Sequence, residues 1–166
     1  MSKRPPRGKS RGRRVDPVRV AAADVLDHWQ RDHRHVEDLV EARERDTSPR
    51  GAAHWNYVDR RRLREIVYGA VRLRGRYDHV VASLSDGGKQ PPPRVRAILW
   101  AALHELTAMR SPDHAVVHEA VDLAHVLRCG WAAGWINALL RRVQREGIEG
   151  LFPEVATDPR AHAATW

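Results

Sequence analysis

Between residues 17 and 143 the apolar side chains of this chain recur every three to four positions and almost never alternate. That period lines them along one stripe of an α-helix and fits no strand, so packed helices are the architecture open to the chain. Asp16-Pro17 reads as a helix start, with Asp as N-cap and Pro at the first helical position. Val18, Ala22, Val25, Leu26 and Trp29 follow at helical spacing and predict a first amphipathic helix over 17–31. A weaker pattern through Val36, Leu39 and Val40 stops at the cluster Thr47-Ser48-Pro49-Arg50-Gly51. The third helix, over 57–73, buries Leu63, Ile66, Val67, Ala70 and Val71 and carries Arg60, Arg61, Arg62, Arg64 and Arg72 on its polar face. Tyr77, Val80, Val81 and Leu84 predict a shorter fourth.

Gly87-Gly88 and Pro91-Pro92-Pro93 form the one obvious internal break, which reads as a linker between two helical subdomains. Beyond it Val95, Ile98, Leu99, Ala102, Leu103 and Leu106 predict the most apolar helix, a central one. Ser111-Pro112-Asp113 opens the next, with Val117, Ala120, Val121 and Ala124 as its buried stripe. Cys129-Gly130 reads as a turn. Trp131, Trp135, Ile136, Leu139, Leu140 and Val143 then make a last helix that ends before Gly147. The expectation is an all-α bundle of about seven helices in two subdomains. Trp29, Trp100, Trp131 and Trp135 are expected in its core, and Trp55 in a loop.

Of the 166 residues 42% are hydrophobic, too many for wholesale disorder, and no run approaches the ~20 apolar residues of a membrane span. The 29 Lys and Arg outnumber the 21 Asp and Glu, for a net charge of +8. That excess has an address. Residues 1–14 hold Lys3, Arg4, Arg7, Lys9, Arg11, Arg13 and Arg14 with no acid, which leaves the rest of the chain almost neutral. With Pro5, Pro6, Gly8 and Gly12 and hardly an apolar side chain, this stretch is expected to be a disordered basic arm until it meets a polyanion. Each phosphate it neutralises releases counterions, which gives affinity without sequence choice. The single cysteine, Cys129, excludes an intrachain disulfide, and no secretory signal pattern opens the chain, so a cytoplasmic location is expected.

Chemistry-bearing patterns are sparse. His114 and His118 are four apart on a helix, but without Glu directly after the first His they do not make a metalloprotease motif, and no metal site is expected. His28, His33 and His35, near the end of the first helix, read as solvated residues or second-line phosphate contacts. Cys129 would be a nucleophile only if a neighbour lowered its pKa, and structural use is favoured. Gly87-Gly88 has no strand before it and opens no helix, so it is no phosphate loop. No catalytic constellation and no cofactor site is expected in this chain.

The segments RLREIVYGAVRLRGRYDHVVASL (62–84), VRAILWAALHEL (95–106), SPDHAVVHEAVDLAHVL (111–127) and AAGWINALLRRV (132–143) resemble, in that order, the NusB-like RNA-binding fold. IVYGAVR and INALLRRV are most similar to its version at the N-terminus of the rRNA cytosine-5 methyltransferases of the RsmB (Sun/Fmu) family. The resemblance implies an RNA-binding role centred on the Arg-rich N-terminus and first helix, here Arg11, Arg13, Arg14 and Arg19. In those enzymes a catalytic domain that binds S-adenosylmethionine follows, so this chain alone is not expected to methylate. Within these motifs Pro112 sets a helix start, Gly69 permits close helix approach, and Glu119 and Asn137 are expected to tie neighbouring helices together. His118 departs from the pattern by standing where the family has Asn.

The expected organisation is therefore a basic arm over 1–14, a NusB-like helical domain over 15–147, and a tail or linker start over 148–166. RNA, foremost rRNA, is the expected partner, with contacts from Arg4, Arg7, Lys9, Arg11, Arg13, Arg14 and Arg19 and a second basic surface from Arg61, Arg64, Arg72, Arg74 and Arg76. The alternatives are a free-standing antitermination factor of the NusB type and a helical adaptor that pairs with a ribosomal or transcription-complex protein.

Overall fold

In the computed structural model the described residues are 15–32, 34–48, 51–109 and 111–151, and among them every regular element is helical. The helices are α1 (Pro17–Asp32), α2 (Val36–Arg45), α3 (Tyr57–Arg72), α4 (Arg74–Ser83), α5 (Pro93–Thr107), α6 (Asp113–Val126) and α7 (Ala133–Leu151). The sequence boundaries hold to within a few residues because the capping chemistry is local. Asp16 Oδ1 accepts the Val18 amide at 2.9 Å at the start of α1, and Asn56 Oδ1 accepts the Asp59 amide at 2.9 Å at the start of α3. Gly147, at φ 68° and ψ 159°, breaks the helical geometry of α7 where the sequence placed its end.

The helix α5 is central, as its apolar run requires. Val95 and every residue from Ala97 to Glu105 are buried, so no face of it is left for solvent. It packs against α1, α3, α4, α6 and α7. The chain does bend at 86–88, in a 3-10 turn where Gly87 and Gly88 take φ of 68° and 66°. Because α5 belongs to both halves, the expected subdomains share one continuous core. Arg94 Nε donates to Asp27 Oδ2 at 3.1 Å, joining the start of α5 to the end of α1.

Two expectations about single residues are corrected. Trp131 is 73% exposed, because Gly130–Ala132 forms a 3-10 turn ahead of α7 and the indole falls outside the helical stripe. Asn137 is exposed on α7 and ties no neighbouring helix among the described residues. Glu119 does make a tie: its Oε2 accepts the backbone amide of Asp16 at 3.1 Å, fastening the start of α1 to α6. Trp100 is buried and donates its indole N–H to Asp78 Oδ1 at 2.8 Å. Trp55, Trp29 and Trp135 are partly buried against the core.

Candidate nucleic-acid interface

Most of the arginines are engaged by acids or carbonyls of the fold itself. Arg19, on the first turn of α1, turns inward: Nε and Nη2 donate to the two carboxylate oxygens of Glu105 at 2.8 and 2.7 Å. Asp16 and Glu119 approach its Nη1 at 3.7 and 3.9 Å, and the side chain is only 12% exposed. Burial works against this charge, but the hydrogen bonds and charge of Glu105, with Asp16 and Glu119, outweigh it and raise the guanidinium above its ordinary pKa. The acids inside the fold thus hold much of the Arg19 charge.

The arginines of α3 divide in the same way. Arg60 donates to the Ala53 and Trp55 carbonyls at 2.6 and 3.3 Å. Arg62 bonds Asp16 Oδ2 at 2.5 Å and reaches Glu105 Oε2 at 3.4 Å. Arg64 grips the buried Glu44 of α2 with two hydrogen bonds of 2.8 and 2.6 Å. Beyond α3, Arg74 donates to the Val71 carbonyl at 3.0 Å and lies over the Trp29 ring, and Arg76 bonds Glu149 at 2.5 Å. Arg61 and Arg72 differ: both are exposed, and among the described residues neither has a hydrogen-bond or ion-pair partner. Arg4, Arg7, Lys9, Arg11, Arg13 and Arg14 lie outside the described residues.

Arg61 and Arg72 flank a cleft of about 480 Å³ between α3 and the C-terminal half of α5, lined also by Arg64, Glu65, Tyr68, Gly69, His104 and Ala108. Positions 61, 65, 68 and 72 share one helix face, so the two cations bracket the partly exposed Tyr68 ring. The floor is His104, whose Nδ1 lies 3.1 Å from the Tyr77 hydroxyl and whose other edge rests on Gly69. Burial lowers the His104 pKa, so the ring is neutral near pH 7. A second cleft of about 300 Å³, lined by Trp29, Gln30, Arg74, Asp78, Arg96 and Trp100, has its cations engaged: Arg96 donates to Gln30 at 2.7 Å and lies 5.0 Å from the centre of the Trp100 ring. Cys129 is buried and its thiol pKa is pushed up by burial, which suits a structural role.

Sequence reasoning did not single out Tyr68 or His104. The spacing of Arg61, Tyr68 and Arg72 on one helix face was a readable signal for the first; only the packing of α3 on α5 brings in the second.

An all-helical domain with paired acids inside and a short cationic stripe outside is the class these features define. The chain belongs to the NusB family, whose pattern matches residues 16–145. It is 36% identical over 107 residues to the ribosomal RNA small subunit methyltransferase B of Pseudomonas putida, covering 64% of this chain and 24% of that protein. The Vibrio vulnificus protein of the same name is 33% identical over 130 residues, covering 78% of this chain and 29% of the relative. That of Xanthomonas campestris is 36% identical over 104 residues, covering 60% and 22% respectively. The chain thus spans about a quarter of the length of the curated relatives it matches, corresponding to their N-terminal part.

Proposed function

We propose that this chain is an RNA-binding module, the rRNA-targeting N-terminal part of a small-subunit rRNA cytosine-5 methyltransferase. The observation that carries the reading is the pair of exposed cations Arg61 and Arg72, without an ion-pair partner among the described residues, beside Tyr68 on one face of α3. Arg62, next in sequence to Arg61, is bonded to Asp16, two residues past the basic segment. In this reading the seven cations of residues 1–14 and the Arg61–Arg72 stripe are two sources of positive charge for a polyanion. The chain is then organised as a basic arm over 1–14, a helical domain over 15–147, and a tail or linker start over 148–166. The names of the relatives favour this setting over a free-standing antitermination factor. Methyl transfer and S-adenosylmethionine binding would belong to a catalytic domain, and the working location would be the cytoplasm.

Salt titration tests the reading. The full chain should bind single-stranded small-subunit rRNA fragments with an affinity that falls steeply as salt rises, by about 0.7 log units per log unit of salt for each phosphate contacted. Weak binding with a flat response to salt would overturn it in favour of a protein-pairing adaptor.

A further inference from the structure

The cleft between α3 and α5 is more than a basic patch, because its lining combines three different chemistries within one nucleotide's reach. Arg61 and Arg72 supply positive charge without an internal acid to absorb it. Tyr68, between them and 36% exposed, offers an aromatic face. His104, only 3% exposed, brings a neutral polar edge to the floor: Nδ1 is held by the Tyr77 hydroxyl, while Nε2 lies against Gly69 with no partner among the described residues. The volume of about 480 Å³ falls within the range of small-ligand pockets, ~300–1,000 Å³. With a helical rise of 1.5 Å per residue, Arg61 lies about 10 Å and Arg72 about 6 Å along the axis from Tyr68, so cations stand on both sides of the ring.

We propose that this cleft is a subsite for one unstacked nucleotide of single-stranded RNA, its base stacked on Tyr68 and the phosphates on either side held by Arg61 and Arg72. His104 Nε2 then meets a polar edge of the base or a ribose hydroxyl. Glu65, also in the lining, accepts from an exocyclic amine and disfavours crowding a further phosphate into the cleft. A bare polyanion site would have no use for that carboxylate or for the ring. Stacking on an aromatic side chain is the usual means of holding an unpaired base, and duplex RNA, whose bases are already stacked, cannot use it. The inference rests on the RNA-binding reading above and adds to it a place and a strand preference.

The experiment uses the full chain and a fluorescently labelled single-stranded oligonucleotide, with a duplex of the same length beside it. Tyr68→Ala should weaken single-strand binding by about 5- to 30-fold while leaving the salt slope and melting temperature unchanged. Tyr68→Phe should keep wild-type affinity, since it keeps the ring. Arg61→Gln and Arg72→Gln should each lower the salt slope by about 0.7. If the wild-type chain binds RNA with a steep salt slope and Tyr68→Ala binds single strands equally well, the subsite is overturned and the RNA-binding reading stands. If the wild-type chain binds neither oligonucleotide, both fall together.

Discussion

A Cβ built on Gly69 would lie 2.1 Å from Nε2 of His104, so the imidazole of α5 occupies the space a side chain on α3 would need. Both residues are buried, and the ring cannot swing away without giving up its hydrogen bond to Tyr77. The glycine inside IVYGAVR is therefore a packing requirement: it admits a polar ring to an otherwise apolar helix contact.

Gly69→Ala should accordingly destabilise the fold, although alanine is the better helix former by about 1 kcal/mol. Overpacking of this kind costs about 1–3 kcal/mol, so the net change should be an earlier thermal or denaturant midpoint. Combining it with His104→Ala should remove that part of the loss, because the clash needs both partners. Equal and additive effects in the two backgrounds would contradict the packing explanation.

The acid sensitivity of the fold should report on the same ring. Burial puts the His104 pKa below its ordinary 6.5, with Glu65 and Glu105 pulling it up and Arg72 pushing it down. In the window between that depressed value and 6.5 the unfolded chain binds more protons than the folded one, so stability rises with pH. His104 should contribute fully above about pH 7 and lose its contribution as the pH falls through the window. Melting curves of His104→Gln should be flatter than wild type between about pH 7 and 5.

Glu105, on α5, is the acid that Arg19 and Arg62 share, and it is 2% exposed. Removing it by Glu105→Ala strands a largely buried guanidinium, a loss of about 3–5 kcal/mol for breaking such a pair from one side. The double change Arg19→Met, Glu105→Leu should recover much of that, since replacing both partners removes the uncompensated charge. Arg19→Met alone should shift the denaturation midpoint and leave the salt slope of RNA binding near wild type. A lowered slope with unchanged stability would return Arg19 to the RNA interface.

Deleting residues 1–14 removes seven cations and at most seven phosphate contacts. Not every one of them will engage at once, so the single-strand salt slope should fall by roughly two to four units. Arg64→Gln should lower the slope less than Arg61→Gln, because Glu44 already holds the Arg64 charge. An unchanged slope on deletion would make the basic segment a solubility device and place the RNA contacts on the helices.

Much of this protein was legible in its sequence because the information was local. The three- to four-residue apolar period marked all seven helices, Asp16 and Pro17 marked the first start, and Gly147 marked the last interruption. The apolar run from Val95 to Leu106 marks the central helix from sequence alone. Charge, by contrast, could be counted from sequence but not assigned. Arg60, Arg61, Arg62, Arg64 and Arg72 look alike on α3, yet two backbone carbonyls, Asp16, Glu105 and Glu44 engage three of them and leave Arg61 and Arg72 to the surface. Glu105 comes from 43 residues beyond Arg62, and Glu44 from 20 before Arg64. Helix propensity and periodicity depend on neighbours a turn away, so the sequence by itself determined the elements and their apolar faces. The pairing of charges depends on which helices meet, so only the tertiary structure decided which of the described cations stay unpaired at the surface.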